Sequence, residues 1–148
     1  MINYRPAVFP DDLPLLASWN QQLIEDEGHR NPMDLAQLEK RMNRFLSDDG
    51  YQATLFSRGA FVVAYALYLE DGDTIHLRQF FVARDCRRRG VGKAAMRVLQ
   101  ESIWPNDKRV TVDALTENHP AMAFWKSCGF GEYAVTFLKE TVIDQENT

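Results

Sequence analysis

Apolar residues in the first third of the chain recur every three or four positions, which is the spacing of one helix face. The first such stripe covers residues 13–24, follows an aspartate pair at residues 11–12 that could cap a helix, and stops at Gly28. A second stripe covers residues 35–46, and the pair Asp34 and Gln37 before it resembles a capping box. The pattern therefore predicts two consecutive amphipathic helices.

The remaining apolar residues mostly fall in short runs rich in Val, Tyr and Phe, which are typical of strands. Strands are predicted at residues 2–7, 52–56, 60–69, 74–82 and 109–115, and a final strand or hairpin at 132–142. Two more helical stripes are present, one over residues 91–103 and one that begins after Asn118 and ends before Gly129. The order β-α-α-β-β-β-α-β-α-β predicts an α/β or α+β fold with a mixed sheet. We expect a single domain over residues 1–148, with a frayed tail at 143–148.

Composition narrows the class of protein. With 45% hydrophobic and 26% charged residues, the chain of 148 residues suits one folded core. Its net charge of −4 argues against a nucleic-acid partner, and no apolar run reaches the ~18 residues that would indicate a membrane span. Cys86 and Cys128 are too few for a disulfide framework. We therefore expect a cytoplasmic protein with reduced thiols and no membrane partner.

One segment is strongly basic within this acidic chain. Residues 84–89 contain four arginines and one aspartate, and they join a predicted strand to a helix whose first turn carries Gly90 and Gly92. A helix start has backbone N–H groups without partners and the positive end of the helix dipole, so it suits a phosphate or pyrophosphate. Nearby side chains add positive charge, namely Arg87, Arg88, Arg89 and Lys93. The alternative is a surface turn that only caps the helix.

Other phosphate-binding motifs fit this segment badly. A dinucleotide fingerprint requires G-x-G-x-x-G, and a P-loop requires G-x-x-x-x-G-K-[ST]. Here Gly92 and Lys93 are followed by Ala94, and no glycine stands at the first P-loop position. ATP, GTP and NAD are therefore disfavoured as ligands.

Two strings of residues carry a family resemblance. Arg87-Arg88-Arg89-Gly90-Val91-Gly92 fits the pattern [QR]-x-x-G-x-[GA], and residues 118–130 (NHPAMAFWKSCGF) fit N-x-x-A-x-x-[FL]-Y-x-x-x-G-F, with Trp125 at the Tyr position. In this order and at this spacing they resemble the GNAT (Gcn5-related N-acetyltransferase) family. The resemblance implies acetyl-CoA as co-substrate, no metal, and transfer of the acetyl group to an amine by direct attack.

The resemblance also implies how the cofactor sits. Backbone N–H groups of residues 88–93 would hold the pyrophosphate, and the pantetheine arm would pair with main chain near Val82, where a bulge near residues 80–81 lets two strands splay apart. The residues implied for the cofactor are Phe81, Val82, Arg87, Arg88, Arg89, Gly90, Val91, Gly92, Lys93, Asn118 and Phe124. For Asn118, a role as an N-cap alone stays open.

The candidate base is His76, because histidine has an ordinary pKa of ~6.5 and some family members carry a Glu or His at this spacing. Strand alternation predicts His76, Arg78 and Phe80 on one face, and a partly exposed strand histidine is the alternative. Backbone N–H near Val82 would stabilise the oxyanion. The indole N–H of Trp125 could donate a hydrogen bond to the sulfur, or Trp125 could merely pack, because an indole is no practical acid. The leaving thiolate would then take its proton from Tyr133 or from water, or would leave without an acid.

The acceptor would lie near the polar loop at residues 25–32, which the family places beside its acceptor groove. Glu25 and Glu27 could hold a cationic amine, His29 is a second candidate base, and Arg30 or Arg78 could bind an acceptor carboxylate. A merely solvated loop is the alternative. The acceptor could be a small-molecule amine or a protein amine, and a homodimer stays open. The alternative functions are a non-catalytic acyl-CoA-binding domain and, less favoured, a nucleic-acid-associated protein.

Overall fold

A mixed sheet of five strands lies at the centre of the computed structural model, which describes residues 1–28 and 30–140. The strands are β1 (Asn3–Pro6), β2 (Gln52–Arg58), β3 (Phe61–Asp71), β4 (Thr74–Val82) and β5 (Arg109–Val112). They lie side by side in chain order, antiparallel except for the parallel pair β4 and β5. The mixed sheet confirms the predicted fold class.

Four α-helices cover the sheet within the described residues: α1 (Leu13–Glu27), α2 (Leu35–Ser47), α3 (Val91–Val98) and α4 (His119–Ser127). A 3₁₀ turn (Arg84–Cys86) precedes α3, and a π-helical turn (Leu99–Ile103) extends it, so the predicted helix over residues 91–103 is confirmed. None of these helices is long and apolar enough to cross a membrane.

Local capping rules predict the side-chain cap of the second helix correctly but not that of the first. Asp34 accepts a hydrogen bond from the Gln37 N–H at 2.8 Å, and the Gln37 side chain accepts one from the Asp34 N–H at 2.9 Å, which confirms the capping box. Asp12 precedes α1, but its carboxylate binds Arg5 at 2.7 Å and the Val8 N–H at 2.6 Å. The Asp12 side chain therefore ties β1 to α1 and does not cap the helix.

The two faces of the sheet carry separate apolar cores. Leu55, Tyr65 and Phe81 point towards α1 and α2, where they pack with Leu16, Met42 and Phe45. Ile75 and Leu77 point the other way and pack with Met96 and Leu99. Full burial of such a side chain stabilises the fold by about 1.5–3 kcal/mol. Residues of β4 thus reach both cores, so the strand is held from both sides.

β4 and β5 separate part of the way along β4. Pairing joins Thr74 to Arg109 and ends at Leu77 with Val112, whereas β4 continues to Val82. The second half of β4 therefore has an open main-chain edge within the described residues, and this is the splay that the family resemblance implies. A bulge lies at the separation point, because Leu67 pairs with Gln79 but Tyr68 pairs with Leu77, which leaves Arg78 as the extra residue.

The predicted last strand at residues 132–142 is wrong for the part that the structure describes. Residues 132–140 form no strand, and all of them are exposed. The alternation of Tyr133, Val135 and Phe137 has the period of a strand, but a strand also needs a paired neighbour, which a period cannot supply. Residues 141–142 and the predicted tail at 143–148 lie outside the described residues.

Candidate active site

The basic loop and the start of α3 form a concave stretch of backbone at the end of β4. Gly90, which precedes α3, has φ +78°, and Arg88 has φ +64°. Both residues therefore have left-handed backbone conformations, which help to make the loop concave. The first hydrogen bond within α3 runs from the Ala94 N–H to the Gly90 carbonyl, at 3.1 Å. The N–H groups of Val91, Gly92 and Lys93 therefore point out of the helix start, as an anion site requires.

The two glycines of this turn have different physical roles. A Cβ on Gly90 would meet nothing within 4 Å, so this side of the turn is open for a ligand. A Cβ on Gly92 would lie 3.0 Å from Phe124 Cε1 and 3.2 Å from Phe124 Cζ. Gly92 therefore makes room for Phe124 of α4.

A valine at Gly92 should test this packing role. We expect Gly92→Val to destabilise the protein by about 1–3 kcal/mol, since its side chain would overpack against the Phe124 ring. Phe124→Leu should relieve part of the clash, so the double variant should be more stable than the sum of the two single changes predicts. Urea unfolding of all four proteins measures this coupling, and strict additivity would contradict the contact.

The arginines of the loop divide into two groups. Arg84 binds Asp26 at 2.8 Å and Glu25 at 3.1 Å, and Arg87 binds Asp26 at 2.7 Å and the Val82 carbonyl at 2.9 Å. Arg88, Arg89 and Lys93 make no ion pair with a described residue, and both arginines are exposed. Arg87, predicted to add positive charge for a ligand, is thus held by Asp26 and Val82, and the cations of this loop without a described ion pair are Arg88, Arg89 and Lys93.

The carboxylate of Asp26 fixes the loop to the end of α1. Partial burial alone would raise its pKa, but the hydrogen bonds from Arg84 and Arg87 outweigh burial and lower the pKa below its usual value. A carboxylate with a lowered pKa in the folded state stabilises the protein above its unfolded pKa of ~3.9 and loses this effect as the pH falls through the folded value.

We expect Asp26→Asn to cost about 1 kcal/mol at pH 7, because two partly exposed arginine contacts weaken together. The difference between the two proteins should shrink as the pH falls from about 4 through the lowered pKa of Asp26 in the folded protein, where the wild-type carboxylate also becomes neutral. Urea unfolding at pH 7 and at pH 3 measures both values. A difference that stays constant over this range would contradict the ion-pair role of Asp26.

The open edge of β4 leads from this loop towards the separation point. The Ala83 N–H donates to the Val63 carbonyl of β3 at 2.8 Å, so by strand alternation the N–H of Val82 faces the open edge. The carbonyl of Val82 faces the same way, and it accepts from Arg87. Arg87 thus occupies the Val82 carbonyl, whereas the Val82 N–H could donate a hydrogen bond to an amide carbonyl of pantetheine or to a developing oxyanion.

An aromatic cluster lines one side of the opening. Phe80 stacks on Phe124 at 5.9 Å between centroids, and Trp125 packs edge-on against Phe80, Phe124 and Phe130 at 4.9–5.7 Å. All four are half-buried. Trp125 is therefore a packing residue in this structure, and its indole N–H makes no hydrogen bond to a described residue. Burial raises the pKa of the Cys128 thiol close by, which suits a packing role for this cysteine.

His76 lies beside the separation point, one residue before the last paired position of β4. Its Nδ1 is 2.9 Å from Thr111 Oγ1 on β5, and its Nε2 is 3.8 Å from Asp113 Oδ2. If Nδ1 donates to Thr111, then Nε2 has a free lone pair, because 3.8 Å exceeds hydrogen-bond distance. Sequence reasoning missed Thr111 and Asp113. The parallel register of β4 and β5, which brings them to His76, has no local sequence signal.

The bulge changes the prediction for the faces of β4. Arg78 lies 4.6 Å from the Phe45 ring on the α2 side, with His76 on the same face, whereas Phe80 packs into the α3 core. The prediction that all three share a face is therefore wrong for Phe80, because the extra residue at Arg78 shifts the alternation by one.

Tyr133 lies at the end of the sheet where β5 begins. Its ring is 76% exposed and lies 5.1 Å from the Arg109 guanidinium, and Arg109 pairs with Thr74 at the start of β4. Thr74 is two residues from His76 but eight from Val82, about 7 and 26 Å at the rise of a strand. Tyr133 is therefore on the His76 side of the opening, and its role as an acid stays a prediction. Asn118 acts as the N-cap of α4, since its side chain accepts from the Ala121 N–H at 3.3 Å.

The residues predicted as a polar loop at 25–32 begin in the last turn of α1, and several of them are paired within the protein. Glu25 binds Arg84, and Arg30 binds Glu140 of the C-terminal segment. Glu27 is half-buried, and His29 lies outside the described residues. The hypothesis that Glu25 holds a cationic acceptor therefore conflicts with its contact to Arg84. No group of three His, Cys, Asp or Glu side chains that could hold a metal occurs in the described part of the chain.

The site is thus a mixed sheet whose strands separate beside a helix start that contains glycine. Residues 14–130 match the family model described as the acetyltransferase (GNAT) family, so the chain belongs to the GNAT family of acetyltransferases. No curated protein matches the chain.

Solved structures show the same fold over almost the whole chain. One is described as a possible acetyltransferase from Clostridium difficile 630, with 20% identity, a TM-score of 0.78, and coverage of 97% of this chain and 99% of that one. An aminoglycoside antibiotic 6'-N-acetyltransferase from Acinetobacter haemolyticus has 19% identity, a TM-score of 0.72, and coverage of 95% and 99%. A predicted acetyltransferase from Clostridium acetobutylicum, solved with acetyl-CoA, has 18% identity, a TM-score of 0.68, and coverage of 95% and 96%.

Proposed function

We propose that the protein is an N-acetyltransferase that moves the acetyl group of acetyl-CoA to a primary amine by direct attack in a ternary complex. The observation that carries this proposal is the open edge of β4 beyond Leu77, which continues directly into the basic loop and the N–H groups at the start of α3. An extended pantetheine arm suits the edge, and a pyrophosphate suits the helix start. Family membership and the acetyl-CoA complex of the Clostridium acetobutylicum relative support the same ligand.

Each group of the site has a proposed role in the transfer. The amine nitrogen attacks the thioester carbonyl carbon and the carbon–sulfur bond breaks, so that the acetyl group ends on nitrogen and CoA leaves as a thiolate. His76 takes the proton of the amine on Nε2, while Thr111 holds the ring through Nδ1. A main-chain N–H on the open edge near Val82, on the side that faces His76 along β4, donates to the carbonyl oxygen as it becomes negative. Water or Tyr133 protonates the thiolate in this proposal, since Trp125 offers no acid there.

Thermal unfolding with and without acetyl-CoA tests the cofactor, with ATP and NAD as controls. A ligand at 100 times its Kd should stabilise one site by about 2.7 kcal/mol. A shift with acetyl-CoA alone, followed by release of CoA thiol in the presence of amines, is the expected result. No shift at millimolar acetyl-CoA would contradict the proposal.

One observation favours a second candidate, a domain that binds acyl-CoA without turnover. Trp125 occupies the position where the family pattern has Tyr, and it packs into the aromatic cluster. This candidate predicts the same acetyl-CoA shift with no thiol release for any amine. Thiol release therefore separates the two functions.

A further inference from the structure

One arginine of the basic loop joins three parts of the molecule around the proposed cofactor site. Arg87 Nη2 donates to Asp26 Oδ2 in the last turn of α1 at 2.7 Å, and Arg87 Nε donates to the Val82 carbonyl at the end of β4 at 2.9 Å. The guanidinium carbon also lies 5.0 Å from the centroid of the Phe81 ring, which is a cation–π contact. A carboxylate, a carbonyl and an aromatic ring thus hold this side chain together.

The partners of Arg87 belong to well-packed elements. Val82 pairs with Ala64 of β3, and Phe81 is 1% exposed in the core between the sheet and the first two helices. Asp26 lies in α1, whose apolar residues pack in the same core. The position of Arg87 is therefore set by a helix and a strand, and not by the exposed loop to which it belongs.

Arg87 is also the first residue of the turn at residues 87–90, which leads into the N–H groups proposed for the pyrophosphate. Arg88 has φ +64°, a backbone conformation that is unfavourable for a residue with a Cβ. Residues 88–90 make no side-chain hydrogen bond or ion pair with a described residue. The turn is thus anchored at its start by Arg87 and at its end by Val91, which is buried against α3 and the sheet.

Arg84 shares the carboxylate of Asp26 but does not reach the cofactor edge. It donates to Asp26 at 2.8 Å, to Glu25 at 3.1 Å and to the Gln22 carbonyl at 3.5 Å, and all three acceptors belong to α1. Arg84 therefore ties the loop to the helix only, whereas Arg87 ties the same helix to the open edge of β4. The two arginines separate a purely structural contact of Asp26 from one that leads to the site.

We propose that Asp26 is a positioning residue for acetyl-CoA, which acts through Arg87 to hold the 87–90 turn and the end of β4 in the geometry that binds the cofactor. The inference rests on the proposed N-acetyltransferase function, in which acetyl-CoA is the co-substrate. A site that is ordered before the ligand arrives loses less conformational freedom on binding, so it binds more tightly. A carboxylate that only stabilised the fold would leave the affinity of the folded protein unchanged.

Calorimetric titration with acetyl-CoA at neutral pH tests the proposal, with circular dichroism to verify that each variant is folded. Asp26→Asn removes the charge and keeps the shape of the side chain. We expect its dissociation constant to rise about tenfold, because binding would then have to order roughly one residue of the turn. Asp26→Glu keeps the charge and should recover part of the affinity. Wild-type affinity in a folded Asp26→Asn protein would overturn the proposal.

Two control variants remove comparable contacts elsewhere. Arg84→Gln breaks the other arginine contact of Asp26 and leaves Arg87 in place. Asp12→Asn breaks the contact with Arg5 just before α1, which is also an aspartate–arginine pair. Both variants should lose stability and keep the wild-type affinity for acetyl-CoA. A loss of affinity in either control as large as that in Asp26→Asn would overturn the proposal.

A double variant tests whether Asp26 acts through Arg87. Arg87→Gln removes the guanidinium that makes both hydrogen bonds and should itself weaken binding. If the effect of Asp26 passes through Arg87, then Asp26→Asn should add little in the Arg87→Gln background, and the double variant should bind about as well as Arg87→Gln alone. Fully additive losses of binding free energy would overturn the proposal.

Release of CoA thiol separates this inference from the proposed function. If thiol is released with amines and Asp26→Asn raises KM for acetyl-CoA about tenfold with little change in kcat, both stand. If thiol is released and the variant keeps the wild-type KM, the function stands and the inference fails. If the wild type binds acetyl-CoA without thiol release and Asp26→Asn weakens this binding, the function fails and the inference stands. If the wild type does not bind acetyl-CoA, both fail.

Discussion

Gly90→Glu is expected to abolish measurable acetyl-CoA binding while the protein stays folded. The position is open, since a Cβ there would meet nothing within 4 Å, and it precedes the N–H groups at the start of α3. A carboxylate there would stand close to the proposed pyrophosphate, and two like charges about 4 Å apart repel by about 4 kcal/mol at the effective dielectric of a protein surface. Allowing for movement of the side chain, we expect affinity to fall at least about 100-fold, which is about 2.7 kcal/mol.

Backbone strain has to be separated from this electrostatic effect. Gly90 has φ +78°, where a residue with a Cβ costs about 1–2 kcal/mol. Gly72 has φ +62° and also meets nothing within 4 Å, but it lies in the hairpin turn between β3 and β4, at the far end of β4. Gly72→Glu therefore introduces similar strain and charge away from the site.

Calorimetric titration with acetyl-CoA and thermal unfolding of both variants measure the two effects. Both should lose similar stability, and only Gly90→Glu should lose the titration heat. Wild-type affinity in a folded Gly90→Glu protein would reject the placement of the pyrophosphate. Equal loss of binding in Gly72→Glu would mean that strain, and not charge at the helix start, explains the result.

The sequence predicted best where the signal is local. The capping box at Asp34 and Gln37 and the glycine before α3 depend on neighbours a few residues apart, and the structure has both. The family resemblance also predicted that β4 separates from its neighbour, although the bulge lies at Arg78 and not near residues 80–81. Such features follow from short-range chemistry or from a motif that spans few residues.

Features that depend on pairing over long distances could not be predicted in this way. Thr111 lies 35 residues from His76, and only the register of the parallel strands brings the two side chains together. The same is true of Asp26, which holds Arg84 and Arg87 about 60 residues away in the chain. Of these two, Arg87 was predicted to bind the ligand, and the contact with Asp26 makes it a structural residue as well. The bulge at Arg78 shows that one extra residue reverses the sheet faces on which the later side chains of the same strand lie.

His76→Ala is expected to lower kcat by about 10²–10⁴-fold, which is the usual contribution of a positioned general base. Acetyl-CoA affinity should stay unchanged, because the His76 ring contacts Thr111 at the separation point and not the arginine loop. The pH–rate profile of the variant should differ from that of the wild type if His76 is the base. His119→Ala is the matched control, since His119 is exposed at the start of α4.

Thr111→Val distinguishes a base from a structural histidine. If Thr111 holds the imidazole so that Nε2 faces the amine, then Thr111→Val should lower kcat by about tenfold and change KM for acetyl-CoA little, because the ring loses its orienting partner. Steady-state kinetics over pH 5–9 for the three variants and the wild type measure these effects. A wild-type profile in His76→Ala would exclude His76 as the base. Equal losses in His76→Ala and His119→Ala would point to a general effect of substitution, so the base assignment depends on the contrast between these two histidines.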